Sequence, residues 1–200
     1  MKFWPKKKPL TPEKFWEWFV AHEEKILASP AQLAFDMVNP KVQEYNPELS
    51  AGIMIQEPGK LSLLEITPNG IREHAESAIR LAQAAPPLPR WDIHAFRKAG
   101  SLRNLKISFE GGEEHDLALS QFLGRLGENG IFEMHLFLPC PAQTSPRELQ
   151  HLAYLTLDHA LGEEVVMNRI ALRGQSHITT APPTAQYLTE LLELMGIETP

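Results

Sequence analysis

Apolar residues recur along this chain at two different periods, and the switches between them divide it into elements. Phe15, Phe19, Ile26 and Leu27 recur at helical spacing. Thr11-Pro12 supplies a hydroxyl cap and a proline whose missing N–H costs nothing in a first turn, so a helix is predicted from there to just before Pro30. Leu33, Phe35, Met37 and Val38 mark a second helical stretch over 31–45, which Pro40 is expected to split into two short pieces. From Gly52 to Ile66 two β-branched and Leu-rich runs flank Pro58-Gly59-Lys60, the pattern of a hairpin. Helical spacing returns with Ile71, Ala75, Ala78, Ile79 and Ala82, predicting a helix over 70–85 that runs into the stiff connector of Pro86, Pro87 and Pro89.

Strands are predicted at Trp91 to Phe96 and at Arg103 to Glu110, where Leu105, Ile107 and Phe109 alternate with Lys106 and Ser108. The segment 115–130 mixes Leu117, Leu119, Phe122, Leu123 and Leu126 with Gly124, Gly127 and Gly130, and reads as a short strand or helix followed by a loop. The clearest strand is Ile131 to Leu138, with Phe132, Met134, Leu136 and Leu138 opposite Glu133 and His135. Ser145-Pro146-Arg147-Glu148 is a capping box opening a helix over 146–161, and Gly162 is placed to end it. A further strand is expected at Val165 to Arg173 and a last amphipathic helix at Thr184 to Met195. No repeat of 20–50 residues is visible. Helices, hairpin, helix, strands, helix, strand and helix in that order favour an α+β fold: a mostly antiparallel sheet with helices packed on one face. Residues 1–10 read as a flexible tail and 11–200 as a single domain.

Composition narrows the function classes. Hydrophobic residues make up 43% and charged residues 22%, ordinary globular proportions. A formal charge of −6 argues against a nucleic-acid partner, and Lys2, Lys6, Lys7 and Lys8 read as a solvated tail. Glu13, Lys14 and Glu17 interrupt what a signal peptide would keep apolar, and no stretch suits a membrane span. Cys140 is the only cysteine, so no internal disulfide can form and a cytoplasmic setting is expected.

Phe15-Trp16-Glu17-Trp18-Phe19 with His22-Glu23-Glu24, then Pro68-Asn69-Gly70 and the Ala-Pro-rich stretch to Trp91, then Leu157-Asp158-His159-Ala160-Leu161-Gly162-Glu163, form a series of helix and turn patterns. With these the chain resembles, over residues 12–173, a bacterial family of uncharacterised proteins of unknown function. The resemblance implies a compact bacterial α+β domain and brings no activity, cofactor or catalytic residue with it.

Candidate chemistry therefore has to come from the residues themselves. Phosphate loops, G-x-G-x-x-G, H-E-x-x-H, paired C-x-x-C and G-x-S-x-G are all missing from the sequence. With Ile93, Phe132, Met134, Leu136, Val166 and Ile170 pointing inward, a strand period of two sends His94, Glu133, His135 and Arg169 to the opposite face. There His94, Glu133 and His135 would bind a metal or move a proton and Arg169 would hold an anion; the plainer account is a solvated sheet face. His151, Tyr154 and Asp158 share a stripe expected to be an exposed helix face, and Cys140 is read as structural. Trp16 and Trp18 diverge on the first helix, which marks them as partner-binding candidates unless neighbouring elements cover them. The leading expectation is a non-catalytic cytoplasmic protein that binds a protein partner or a second copy, or regulates one, without a cofactor. The alternative is a hydrolase or metal-dependent small-molecule enzyme using the His/Glu face.

Overall fold

A computed structural model describes residues 9–102, 105–108 and 114–196. The fold is α+β, and its two larger sheets are mixed. The domain expected over 11–200 resolves into two compact units, Met1–Arg97 and Lys98–Pro200. The Lys2, Lys6, Lys7 and Lys8 cluster and the parts of the expected 103–110 strand at 103–104 and 109–110 lie outside the described residues. No helix among the described residues is long and apolar enough to cross a membrane.

The first unit opens with α1 (Pro12–Leu27), where the Thr11 hydroxyl accepts from the Lys14 amide, and α2 (Ala31–Tyr45). Pro40 does not break α2 as expected: the helix is continuous. Pro40 lies on its exposed side while Ala34, Val38 and Val42 are buried, so packing holds the helix across the one missing N–H. Next come the hairpin strands β1 (Ser50–Met54) and β2 (Ser62–Thr67), paired antiparallel as expected around Gly59 at φ 94. Helix α3 (Ala75–Gln83), entered through a 3-10 turn at Arg72–His74, then carries the chain to β3 (Trp91–Ala95). That strand pairs parallel with β2, which requires such a crossover. Phe15, Phe19 and Ile26 of α1 are fully buried with Leu64 and Ile66 of β2, each stabilising the fold by roughly 1.5–3 kcal/mol. Arg90 donates to Glu23 (3.2 Å) and Glu24 (2.6 Å), and Trp91 Nε1 donates to Glu23 (3.1 Å), tying α1 to the start of β3.

The second unit begins with the short antiparallel pair β4 (Lys106–Ser108) and β5 (Glu114–Asp116). Its main sheet contains β6 (Gln121–Leu126) and β7 (Phe132–Leu138), an antiparallel hairpin turning at Gly130, φ 75. The capping box forms as expected: Glu148 N donates to Ser145 Oγ and Ser145 N to Glu148 Oε2, opening α4 (Pro146–Leu161). Gly162, φ 82, separates it from α5 (Glu163–Arg169), and β8 (Ile170–His177) returns parallel to β7. β9 (Gln186–Tyr187) adds to the far side of β6, giving the order β8-β7-β6-β9, and α6 (Leu188–Leu194) closes the chain. Met134, Leu136, Leu152, Leu157, Val166, Leu188 and Leu191 belong to one buried cluster.

Two elements depart from the expected pattern, and the segment read as a short strand or helix followed by a loop resolves as the strand. The run beginning at Val165 is helical up to Arg169, because Val166 reaches the core at helical spacing and the acidic Glu163 and Glu164 suit a first turn. The segment 121–126 is a full strand. Gly124 does not weaken it but permits it, since a Cβ there would collide with the Phe132 ring and come within 2.7 Å of the Glu133 carbonyl oxygen. The last helix starts at Leu188, four residues later than expected, after β9.

The two units share a plan. Each is a hairpin followed by a helical crossover to a strand that lies parallel to the hairpin's second strand. The registers coincide: Ser62–Thr67 and Phe132–Phe137 show the same succession of buried and half-buried residues, and Ser62 and Phe132 each face the first residue of the parallel neighbour. Antiparallel pairings outnumber parallel ones, four to two, among the described residues. Gly124→Ala should destabilise the protein by about 1–3 kcal/mol in urea unfolding, because backbone cannot move aside as a side-chain end can.

Candidate functional site

Covering one face of a sheet with helices leaves the other for polar residues, and each unit presents such a second face. In the first unit, Glu65 of β2 and His94 of β3 face one another across the parallel pair. His94 Nε2 lies 2.6 Å from Asp92 Oδ1, close enough for an ion pair, though not aligned as a hydrogen bond. Gly52 on β1 makes room for the Glu65 carboxylate, since a Cβ there would lie 2.8 Å from Glu65 Oε2.

In the second unit, Glu133 and His135 of β7 share the equivalent face. Arg173 donates to Glu133 Oε1 at 2.5 Å, and Arg125 lies 3.7 Å from Oε2. The hydrogen bond and charge of Arg173, with a smaller contribution from Arg125, hold the Glu133 carboxyl below the usual glutamate range. His135 is fixed on three sides. Its Nε2 is 2.8 Å from Ser176 Oγ, its ring lies 4.8 Å from that of Phe137, and Gly174 beneath it has no Cβ to strike Nδ1.

The four-residue site expected from the sequence does not assemble on one sheet. Glu133 and His135 come together, but His94 belongs to the first unit's sheet. Arg169 ends helix α5 and is exposed, so it joins neither face. Among the described residues no group of three or more His, Cys, Asp and Glu side chains is arranged to hold a metal ion.

The tryptophans separate sharply. Trp16 is only 2% exposed, with Nε1 donating to the Leu81 carbonyl at 2.8 Å, so α3 covers it and it offers nothing to a partner. Trp18 is half-buried; His22 stacks on its ring at 4.8 Å, and the Lys41 ammonium lies 5.8 Å from the ring centre. On α4, His151 and Tyr154 are exposed as expected, but Asp158 is buried.

A concavity not anticipated from the sequence lies at the carboxyl ends of β7 and β8. The Pro139–Gln143 loop, His115, His177 and Ile178 line an open cleft of about 410 Å³. Cys140 in its wall is buried, and burial pushes its thiol up, so the sulfur stays protonated and structural. His177 Nδ1 accepts from the Thr179 amide (3.2 Å) and hydroxyl (2.7 Å), which places the ring proton on Nε2. The signals that sequence reading could have used were Pro-Cys-Pro following a buried strand and Gly174 inside a strand pattern.

Comparison with family models, with curated proteins and with solved structures returned no match.

The Glu133 arrangement has a pH signature. A carboxyl depressed in the folded state contributes stability above its unfolded value and loses it as pH falls through the folded one. Urea unfolding followed from neutral pH down to about pH 3 should therefore lose stability less steeply in Glu133→Gln than in the natural protein. High salt should narrow the difference, because the pair is partly exposed.

Proposed function

We propose that this chain is a cytoplasmic regulatory protein that acts by binding rather than by turnover, with the cleft at the carboxyl ends of β7 and β8 as its ligand seat. The cleft carries this reading. Its volume of about 410 Å³ is in the range of small-molecule sites, and its walls combine proline, alanine and isoleucine with a few polar groups held in place. The carboxyl ends of parallel strands are where ligands are taken in open sheets built on crossovers. His177 Nε2–H, fixed by Thr179, is a donor without a protein acceptor among the described residues, which suits a ligand bearing a carboxylate.

Two further observations, at Glu133 and Cys140, support binding over turnover. Glu133 is neutralised by arginines, which suits structure better than proton transfer, and the Cys140 thiol is held in its unreactive form. A protein partner or a second copy would meet α1 at Trp18, the half-buried member of the tryptophan pair. Nucleic acid is not the proposed partner of a chain with a net charge of −6.

Thermal unfolding in the presence of small aliphatic and aromatic carboxylates tests the cleft. A ligand present at about a hundredfold its Kd should stabilise the protein by about 2.7 kcal/mol, and Ala142→Trp, which fills the cleft from an exposed position, should abolish the shift. No stabilisation by any carboxylate, or a shift that survives Ala142→Trp, would remove this reading.

A further inference from the structure

Within their parallel strand pairs the two units differ in register at one place. Along β7 and β8, Leu172 pairs with Met134, but it is Gly174 rather than Arg173 that pairs with His135. Arg173 is the extra residue of a β-bulge, and it leaves the ladder to reach Glu133. The first unit carries no such step between β2 and β3, whose register runs without interruption from Ser62 to Ile66. A one-residue shift exchanges the faces of every later side chain on the strand. Without it Gly174 and Ser176 would face the core; with it both lie on the polar face, under and beside His135.

The bulge, the glycine and the serine thus converge on a single imidazole. Gly174 is needed because a Cβ would come within 2.7 Å of Nδ1 and 2.9 Å of Cε1. Phe137 limits the ring's rotation by contact at 4.8 Å. Ser176 Oγ stands 2.8 Å from Nε2, the separation at which an imidazole takes a hydroxyl proton. Bulges re-aim side chains and are concentrated beside reactive positions, and here the only register break of the two parallel pairs re-aims a hydroxyl onto a histidine.

We propose that Ser176 is a covalent acceptor for an activated acyl group, with His135 as its base. Ser176 Oγ bonds to the carbonyl carbon of an ester or thioester while its proton passes to His135 Nε2. The bond to the leaving alcohol or thiol breaks with its electron pair, and that group takes the proton from Nε2 as it departs. The products are an acyl-serine and a free alcohol or thiol, and the neutral imidazole is restored. One acyl group is taken per chain, as a modification rather than a catalytic cycle. This proposal rests on residues separate from those of the cleft, so either can fail alone.

p-Nitrophenyl acetate added to the full chain, followed by release of p-nitrophenolate and by peptide mass spectrometry, tests it. The expected result is acetylation of Ser176 to one group per chain, absent in Ser176→Ala and slowed about a hundredfold in His135→Gln. Gly174→Ala leaves both reacting groups present but displaces the ring, and should slow acetylation to a similar degree, with circular dichroism confirming that each variant is folded. Acetylation that spares Ser176, or that reaches it at an undiminished rate in the folded His135→Gln protein, would overturn the proposal.

Discussion

A strand that pairs parallel with its predecessor cannot be reached through a tight turn, and that constraint organises both halves of this chain. From β2 to β3 and from β7 to β8 the backbone must travel the length of a strand before it can pair, and in each case it does so as helix. The crossing helix brings an apolar stripe to one face of the sheet: Ala78 and Leu81 in the first unit, Leu152, Leu157 and Val166 in the second. The face it covers becomes core and the opposite face is left to polar chemistry. Glu65 and His94 in one unit, and Glu133, His135 and Ser176 in the other, stand where they do as a consequence. The carboxyl ends of the parallel pair, where one strand stops and the chain turns into the helix, form the cleft by the same logic.

Much of this was legible because it is encoded locally. The capping box at Ser145, the proline start at Pro12, the Pro58-Gly59-Lys60 turn and the alternation in 131–138 each rest on a few adjacent residues, and each formed as expected. What escaped depends on neighbours distant in sequence. Gly124 reads as a strand breaker until Phe132 is seen to need the space above it. Val165-Val166 reads as strand until the core on the far side of the helix is known. A tight turn marks antiparallel pairing locally and parallel pairing has no such mark, so an antiparallel majority could be anticipated while the two parallel pairs, and the division into separate sheets, could not.

The same distinction governs the site. A period of two correctly sent Glu133 and His135 to one face, since that follows from the pleat alone. It could not reveal that His94 belongs to another sheet, nor that a bulge at Arg173 would bring Ser176 to His135. Trp16 shows the limit from the other direction: its helical angle suggested a second surface, and that surface turned out to be α3 of its own unit. Glycines proved the more informative residues, with Gly52, Gly124 and Gly174 each marking a place where a neighbouring group occupies the volume of a missing Cβ.

A chain built twice on one plan, each unit closing its own core around a parallel strand pair, should fold in halves. Expressing residues 1–97 and 98–200 as separate chains, and comparing their amide proton–nitrogen spectra with that of the whole protein, tests it most directly. Each fragment should give a dispersed spectrum, with the resonances of Leu64 and Ile66 in one and of Met134 and Leu136 in the other close to their positions in the full chain. Collapsed spectra from both fragments would contradict it.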